Sequence, residues 1–205
     1  MLSDSRIGRR RLLVAALIVV AGGCSAAPSR VSAPDWDPDE SADQAIADLD
    51  KDGDGLLSME ELSAAPGLKY CVEELDTDRD KKLSREEIYA RIKLYQDMRG
   101  GLASFTCKVT LNGRPLGNAT VRLVPEPFLG DVIEPAVGTT TRSGHAQPTA
   151  ESADVAATRI GMYRVEITSP DVDIPVRYNT QTTLGVEVAA VTDPKGRAVF
   201  RLTSP

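Results

Sequence analysis

LDKDGDGLLSMEEL (residues 49–62) and LDTDRDKKLSREEI (residues 75–88) decide how this chain is read, because the second repeats the acidic positions of the first 26 residues later. Asp50, Asp52 and Asp54 stand at positions 1, 3 and 5 of a twelve-residue stretch that Glu61 closes at position 12. Asp76, Asp78, Asp80 and Glu87 repeat that spacing. A hard divalent cation takes about six to eight oxygen ligands, and a loop of this length delivers them from alternating positions. The carbonyls of Leu56 and Lys82 fall at position 7, and Ser58 and Ser84 at position 9 can each hold a bridging water. Gly55 at position 6 permits a sharp turn, but its counterpart is Lys81. A side chain forced left-handed costs about 1–2 kcal/mol. Arg79, Lys81 and Lys82 also bring positive charge, so the second loop is expected to hold its ion more weakly.

Working outward, Ile46 and Leu49 precede the first loop at the offsets of Val72 and Leu75 before the second, and Leu62 and Ile88 follow at matching places. Apolar residues three or four apart predict short amphipathic helices. Helices of about ten residues are marginal alone, so two units are expected to bury their faces against one another. Leu57 at position 8 is expected to face the partner loop, and Pro66-Gly67 to end one helix and admit the next. The full set of ligand positions resembles the EF-hand, which implies Ca²⁺ as the ion, with Asp50, Asp52, Asp54, Leu56, Ser58 and Glu61 in one site and Asp76, Asp78, Asp80, Lys82, Ser84 and Glu87 in the other. Dockerin-like modules also repeat calcium loops at short spacing, but here glutamate closes both loops. With only Met59 and Met98 nearby, a structural or adhesive role is favoured over a sensor with a methionine-lined groove.

Charge distribution agrees. Residues 35–99 carry 9 basic and 19 acidic side chains, a net −10, whereas residues 100–205 carry ten of each. That density suits cations, and no basic stripe with interleaved aromatics argues for nucleic acid.

At the N-terminus Arg6 and Arg9–Arg11 precede ten apolar residues, Leu12 to Ala21, and then AGGC. Ten helical residues reach about 15 Å, half of a ~30 Å hydrocarbon core, so residues 1–23 read as an export leader and not a membrane span. The AGGC stretch resembles the bacterial lipobox, which implies lipidation of Cys24 and a membrane-anchored, extracytoplasmic location in the bacterial cell envelope. GRRRLL also resembles a loose twin-arginine signal, and ordinary secretion with cleavage near Ala26 or Ala27 is the alternative. Residues 24–39, rich in Ser, Ala and Pro, read as a tether in which Trp36 is either exposed or staples the first helix.

From Ser104 the hydrophobic period changes to two. Phe105, Cys107, Val109 and Leu111 alternate, as do Ala119, Val121 and Leu123, then Tyr163, Val165 and Ile167, then Leu184, Val186 and Val188, then Ala198, Phe200 and Leu202. Asn112-Gly113 is a hairpin turn. Short strands between Gly/Pro turns predict an antiparallel β-sandwich. CKVTLNGRPLGNATVRLVPEP, TTTRSGHA, GMYRVEIT and IPVRYNTQTTLGVEV together resemble the carboxypeptidase regulatory-like domain, a transthyretin-like sandwich, with Arg142 where that family usually carries an acidic residue. The expected architecture is therefore α + β and multidomain: a small all-α EF-hand pair over 40–99, followed by an all-β antiparallel sandwich over 104–205.

No catalytic set is evident. His145, the one histidine, reads as a turn-edge residue, and Arg177, Tyr178 and Asn179 read as fixing a loop. With Cys24 assigned to lipid, Cys71 and Cys107 are either a disulfide joining the two segments or two small buried hydrophobes. The chain is thus expected to be a non-enzymatic binding or scaffolding protein with an envelope or extracellular partner, the alternative being a hydrolase or carbohydrate-binding accessory role on the sandwich.

Overall fold

Trp36 opens the folded part: it is buried, and its ring meets Tyr95 at 5.5 Å between centroids with the planes tilted by 46°. The computed structural model describes residues 33–98, 101–150, 156–189 and 198–204, so the leader and Cys24 lie outside the described residues. The expected tether therefore gives way to packed structure before residue 39, and Trp36, near the end of that segment, is buried against Tyr95 and not exposed. Gln96 Nε2 fixes its carbonyl at 2.8 Å.

Helix α1 (Pro38–Leu49) follows from local chemistry. Asp37 caps it by accepting from the Glu40 amide at 3.0 Å, proline occupies its first turn where no amide is needed, and Asp39 and Glu40 favour its positive end. Ala42, Ala45 and Leu49 form its buried stripe. After the first acidic loop come β1 (Leu56–Leu57), a 3₁₀ turn (Glu61–Ala64), and the short helices α2 (Pro66–Tyr70) and α3 (Val72–Leu75). The second loop leads through β2 (Leu83–Ser84) into α4 (Arg85–Asp97), which starts from a capping box between Ser84 and Glu87. Ile88, Ile92 and Tyr95 of α4 are buried, and α4 packs on α1. β1 and β2 pair antiparallel with Leu57 opposite Leu83, both fully buried, as the position-8 expectation required.

The remaining strands are β3 (Leu102–Ala103), β4 (Cys107–Leu111), β5 (Arg114–Pro115), β6 (Thr120–Pro125), β7 (Ala136–Thr139), β8 (His145–Ala146), β9 (Thr149–Ala150), β10 (Thr158–Arg159), β11 (Gly161–Thr168), β12 (Gly185–Val188) and β13 (Ala198–Leu202). One sheet runs β12-β11-β6-β7-β9 and is antiparallel throughout. In the other, β4 carries β13 on one edge and β8 and β5 on the opposite edge, while β3 and β10 form a separate pair. β13 runs parallel to β4, which corrects the expectation of purely antiparallel pairing. Asn112 and Gly113 both have positive φ, the geometry of a tight hairpin between β4 and β5. The alternating residues behave as expected, with Val109, Val121, Leu123, Val165, Ile167, Val186 and Leu202 buried in the same hydrophobic cluster as the helical residues. The class is α + β.

That shared cluster exists because the linker between the acidic loops lies on the first sheet. The described residues form one compact unit in which α2 packs against β11 and β12. Two glycines make the approach possible. A Cβ on Gly185 would fall 1.8 Å from the Pro66 carbonyl oxygen, and one on Gly67 would fall 2.7 Å from the Tyr163 amide nitrogen. Helix α4 is tied to the same sheet: Arg91 reaches Glu187 of β12 through two guanidinium nitrogens, one at 2.6 Å, and the Tyr95 hydroxyl also donates to Glu187. Both charged side chains are about nine-tenths buried, a setting in which losing one partner strands the other.

Glu126, fully buried at the end of β6, accepts from the Gly67 amide at 2.6 Å. Its other oxygen lies 3.7 Å from Arg164 Nε, beyond hydrogen-bond reach. Burial pushes its carboxyl up to about 7, against the opposing pull of the Gly67 amide and Arg164. Cys71 and Cys107 are free and buried, so the disulfide reading gives way to two small hydrophobes. Cys71 Sγ donates to the Gly67 carbonyl at 3.2 Å.

Three outcomes are expected. Gly185→Ala drives a methyl into the α2 backbone and should destabilise by about 3 kcal/mol in urea unfolding. Gly130→Ala has open space around its Cβ, but φ +63 with ψ −156 is backbone that only glycine adopts readily, so it should cost about 2 kcal/mol through strain alone. Because the folded state binds the Glu126 proton more tightly than the unfolded chain, this residue's contribution is fully present below about pH 4.5 and is lost as pH rises through about 7. Glu126→Gln should remove that loss, about 3 kcal/mol by linkage, so its unfolding free energy falls less between pH 5 and pH 8 than the wild type's.

Candidate metal centre

In each loop the three aspartates converge. One carboxylate oxygen from each of Asp50, Asp52 and Asp54 lies within 4.8 Å of the others, and the same holds for Asp76, Asp78 and Asp80. Backbone amides hold them there. Asp50 accepts from Gly53 at 2.7 Å and Gly55 at 2.9 Å, Asp52 from Asp54 at 3.1 Å, and Asp54 from Leu56 at 2.8 Å. The second loop repeats the scheme: Asp76 accepts from Asp80 at 3.1 Å and Lys81 at 2.9 Å, Asp78 from Asp80 at 3.1 Å, and Asp80 from Lys82 at 2.7 Å. These bonds leave other lone pairs open, so each trio can hold a metal ion.

Glu61 and Glu87 are placed differently from the aspartates and lie outside the two clusters. Glu61 ties the two ends of its loop together, accepting from the Lys51 amide at 2.8 Å and from the Ser58 hydroxyl and amide at 2.7 and 2.8 Å. The Ser58 hydroxyl first, then these amides, hold its carboxyl down at about 2, so it is anionic at neutral pH. Glu87 does the same through Thr77 and Ser84, at 2.7 Å and 2.9 Å to their amides. Burial alone would raise its carboxyl, but those bonds outweigh it and the net direction is down. Both serine hydroxyls, expected to hold bridging waters, are thus bonded to the closing glutamates. Leu56 lies in β1 and Lys82 directly before β2.

The left-handed backbone expected at Lys81 is present at φ +67, and Arg79 shares it at φ +65 where the first loop has Gly53 and Gly55. One expectation is corrected. Lys82 is not confined to the second loop: its charge is felt by Asp80 there, but its ammonium bonds directly to Asp54 of the first loop at 2.5 Å. That hydrogen bond raises the lysine and lowers the aspartate. Spacing within either loop gives no sign of this contact, because it depends on the antiparallel alignment of the two. Nor was Arg85 legible, which binds Asp43 and Asp39 of α1 at 2.5 and 2.7 Å.

Elsewhere, His145 edges a shallow depression of about 590 Å³ beside Thr106, Thr139, Thr141 and Gln147. Its Nδ1 lies 3.1 Å from Ser143 Oγ, which lies 2.9 Å from Thr141 Oγ1, a run of neighbours closing a single turn. Arg177 donates to the Thr203 carbonyl at 2.7 Å and stacks 4.9 Å above Tyr178, while Asn179 donates to the Ile174 carbonyl at 2.9 Å, so this trio fixes its loop as expected. Among the described residues no helix is long and apolar enough to cross a membrane.

Compared with known proteins, the chain matches no protein-family model, no curated protein and no solved structure. Its own residues carry the functional reading.

Replacing Lys81 by glycine keeps the amide bond to Asp76 and removes the left-handed cost of a side chain. Lys81→Gly should therefore stabilise the chain by roughly 1 kcal/mol, less the extra freedom of glycine in the unfolded state, in metal-free urea unfolding.

Proposed function

We propose that this chain is a calcium-binding, lipid-anchored extracytoplasmic protein with a non-enzymatic binding or scaffolding role. In this reading an EF-hand pair is built onto a transthyretin-like sandwich. The observation that carries it is the convergence of three carboxylates in each of two loops under the same amide scheme. Like charges brought within 4.8 Å repel, and a divalent cation is what makes such a cluster favourable. All-oxygen donors suit a hard cation, and of the common ones Ca²⁺ tolerates a flexible, crowded shell best. Asp50, Asp52, Asp54, Leu56, Ser58 and Glu61 would hold one ion, and Asp76, Asp78, Asp80, Lys82, Ser84 and Glu87 the other. Glu61 and Glu87 would then exchange some of their present hydrogen bonds for the metal. The anchor rests on the lipobox-like AGGC and Cys24.

A staple suits this arrangement better than a sensor. Sensor loops work by swinging their helices open. Here α2 lies on the sheet and α4 is clasped through Arg91 and Tyr95 to Glu187, so opening would expose apolar surface and break a buried ion pair. Steady occupancy by extracellular calcium would stiffen the loops and present the sheet to a partner. The hydrolase or carbohydrate-binding alternative draws on the depression beside His145, where the hydroxyl chain runs within one turn.

Calorimetric titration of the mature chain from Cys24 onward, in detergent, with calcium chloride should show two ions bound. Glu61→Gln and Glu87→Gln should each abolish one, and a chelator should lower the melting temperature. Heat-free titration of the wild type would overturn the assignment.

A further inference from the structure

Lys82 belongs to both loops at once. In the calcium reading its carbonyl, at position 7, serves the second loop, while its ammonium sits 2.5 Å from Asp54 Oδ2, an expected ligand of the first. The contact crosses the β1–β2 pair, whose antiparallel register sets Leu56 opposite Ser84 and brings position 7 of one loop beside the other loop's acidic cluster. Asp54 also accepts from the Leu56 amide through its other oxygen, so both of its oxygens already have donors. Neither Asp50 nor Asp52 shows such a contact with a charged side chain among the bonds that shape the loop.

We infer that Lys82 is a built-in competitor for the first loop: a cation entering there must displace the Lys82 ammonium from Asp54, so this residue lowers the first loop's affinity. This rests on the calcium reading above. Three physical steps lead to it. A carboxylate held by an ammonium at this distance is a poorer ligand until the ammonium leaves. Once displaced, the ammonium stays close, tethered by a backbone fixed in the strand pair, and repels the bound ion. Both partners are about one-third exposed, so water and salt weaken the contact without removing it. The loop with glycines at positions 4 and 6 thus gives up part of its conformational advantage to a lysine borrowed from its neighbour, and the two affinities are drawn together.

Calcium chloride titrations on the mature chain test this with one loop silenced at a time. With Glu87→Gln leaving only the first loop, Lys82→Gln should tighten calcium binding about three- to tenfold at low ionic strength, and the gain should shrink as salt is added. Lys82→Arg, which keeps the charge, should change it less than twofold. With Glu61→Gln leaving only the second loop, Lys82→Gln should tighten binding clearly less than on the first, because its carbonyl is retained and its ammonium is bonded to Asp54 and only near Asp80. Lys81→Gln, tested on the first loop, should do little and so excludes a general effect of net charge. A first-loop gain below twofold, an equal gain on the second loop, or an equal gain from Lys81→Gln would overturn the competitor role while leaving calcium binding intact. Absence of calcium uptake by every variant and by the wild type would instead overturn the calcium reading and this inference with it.

Discussion

Everything in the folded part depends on how closely the backbone between the two acidic loops can approach the sheet. Helices α2 and α3 are five and four residues long, too short to persist by their own hydrogen bonds. They persist because Gly67 and Gly185 let two backbones meet where any side chain would collide, and because Leu68 and Cys71 are then fully buried. The cost of that intimacy falls on polar groups enclosed with them. Glu126 answers the Gly67 amide, and Glu187 answers Arg91 and Tyr95.

This docking bears on what the loops can do. A helix pair that is free on one side can respond to an ion by changing its angle, but α1, α2 and α4 share a hydrophobic cluster with both sheets. Ion binding would then be expressed as order within the loops and added stability for the whole unit, since anything that binds only the folded state stabilises it. Within the loops themselves, the hydrogen bonds that position the aspartates come from backbone amides, so the acidic clusters are organised by turn geometry. Lys82 and Arg85 then bridge elements far apart in sequence and partly neutralise a strongly acidic surface.

Much of this was legible in particular residues. The spacing of Asp50, Asp52 and Asp54, the repeat at Asp76, Asp78 and Asp80, the strain at Lys81, the facing of Leu57 and Leu83, and the Asn112-Gly113 hairpin all depend on residues within a few positions of one another or on a direct repeat. The alternation in β4, β6, β11 and β12 was equally visible, because a pleated strand turns successive side chains to opposite faces. Trp36 was undecided in the sequence, since its partner Tyr95 lies in α4 on the far side of both loops.

What the sequence by itself determined is therefore local: where each loop turns, which carboxylates share it, and which side of each strand is apolar. The tertiary structure alone decided that the two segments form one unit, that β13 pairs parallel to β4, that Cys71 and Cys107 stay apart as thiols, and that the Lys82 ammonium rests on the other loop's Asp54. The physical reason is that steric and hydrogen-bond preferences act over a few residues and leave a pattern in the chain. Which distant surfaces meet depends instead on how closely two backbones can pack, and two glycines more than a hundred positions apart carry no pattern that links them.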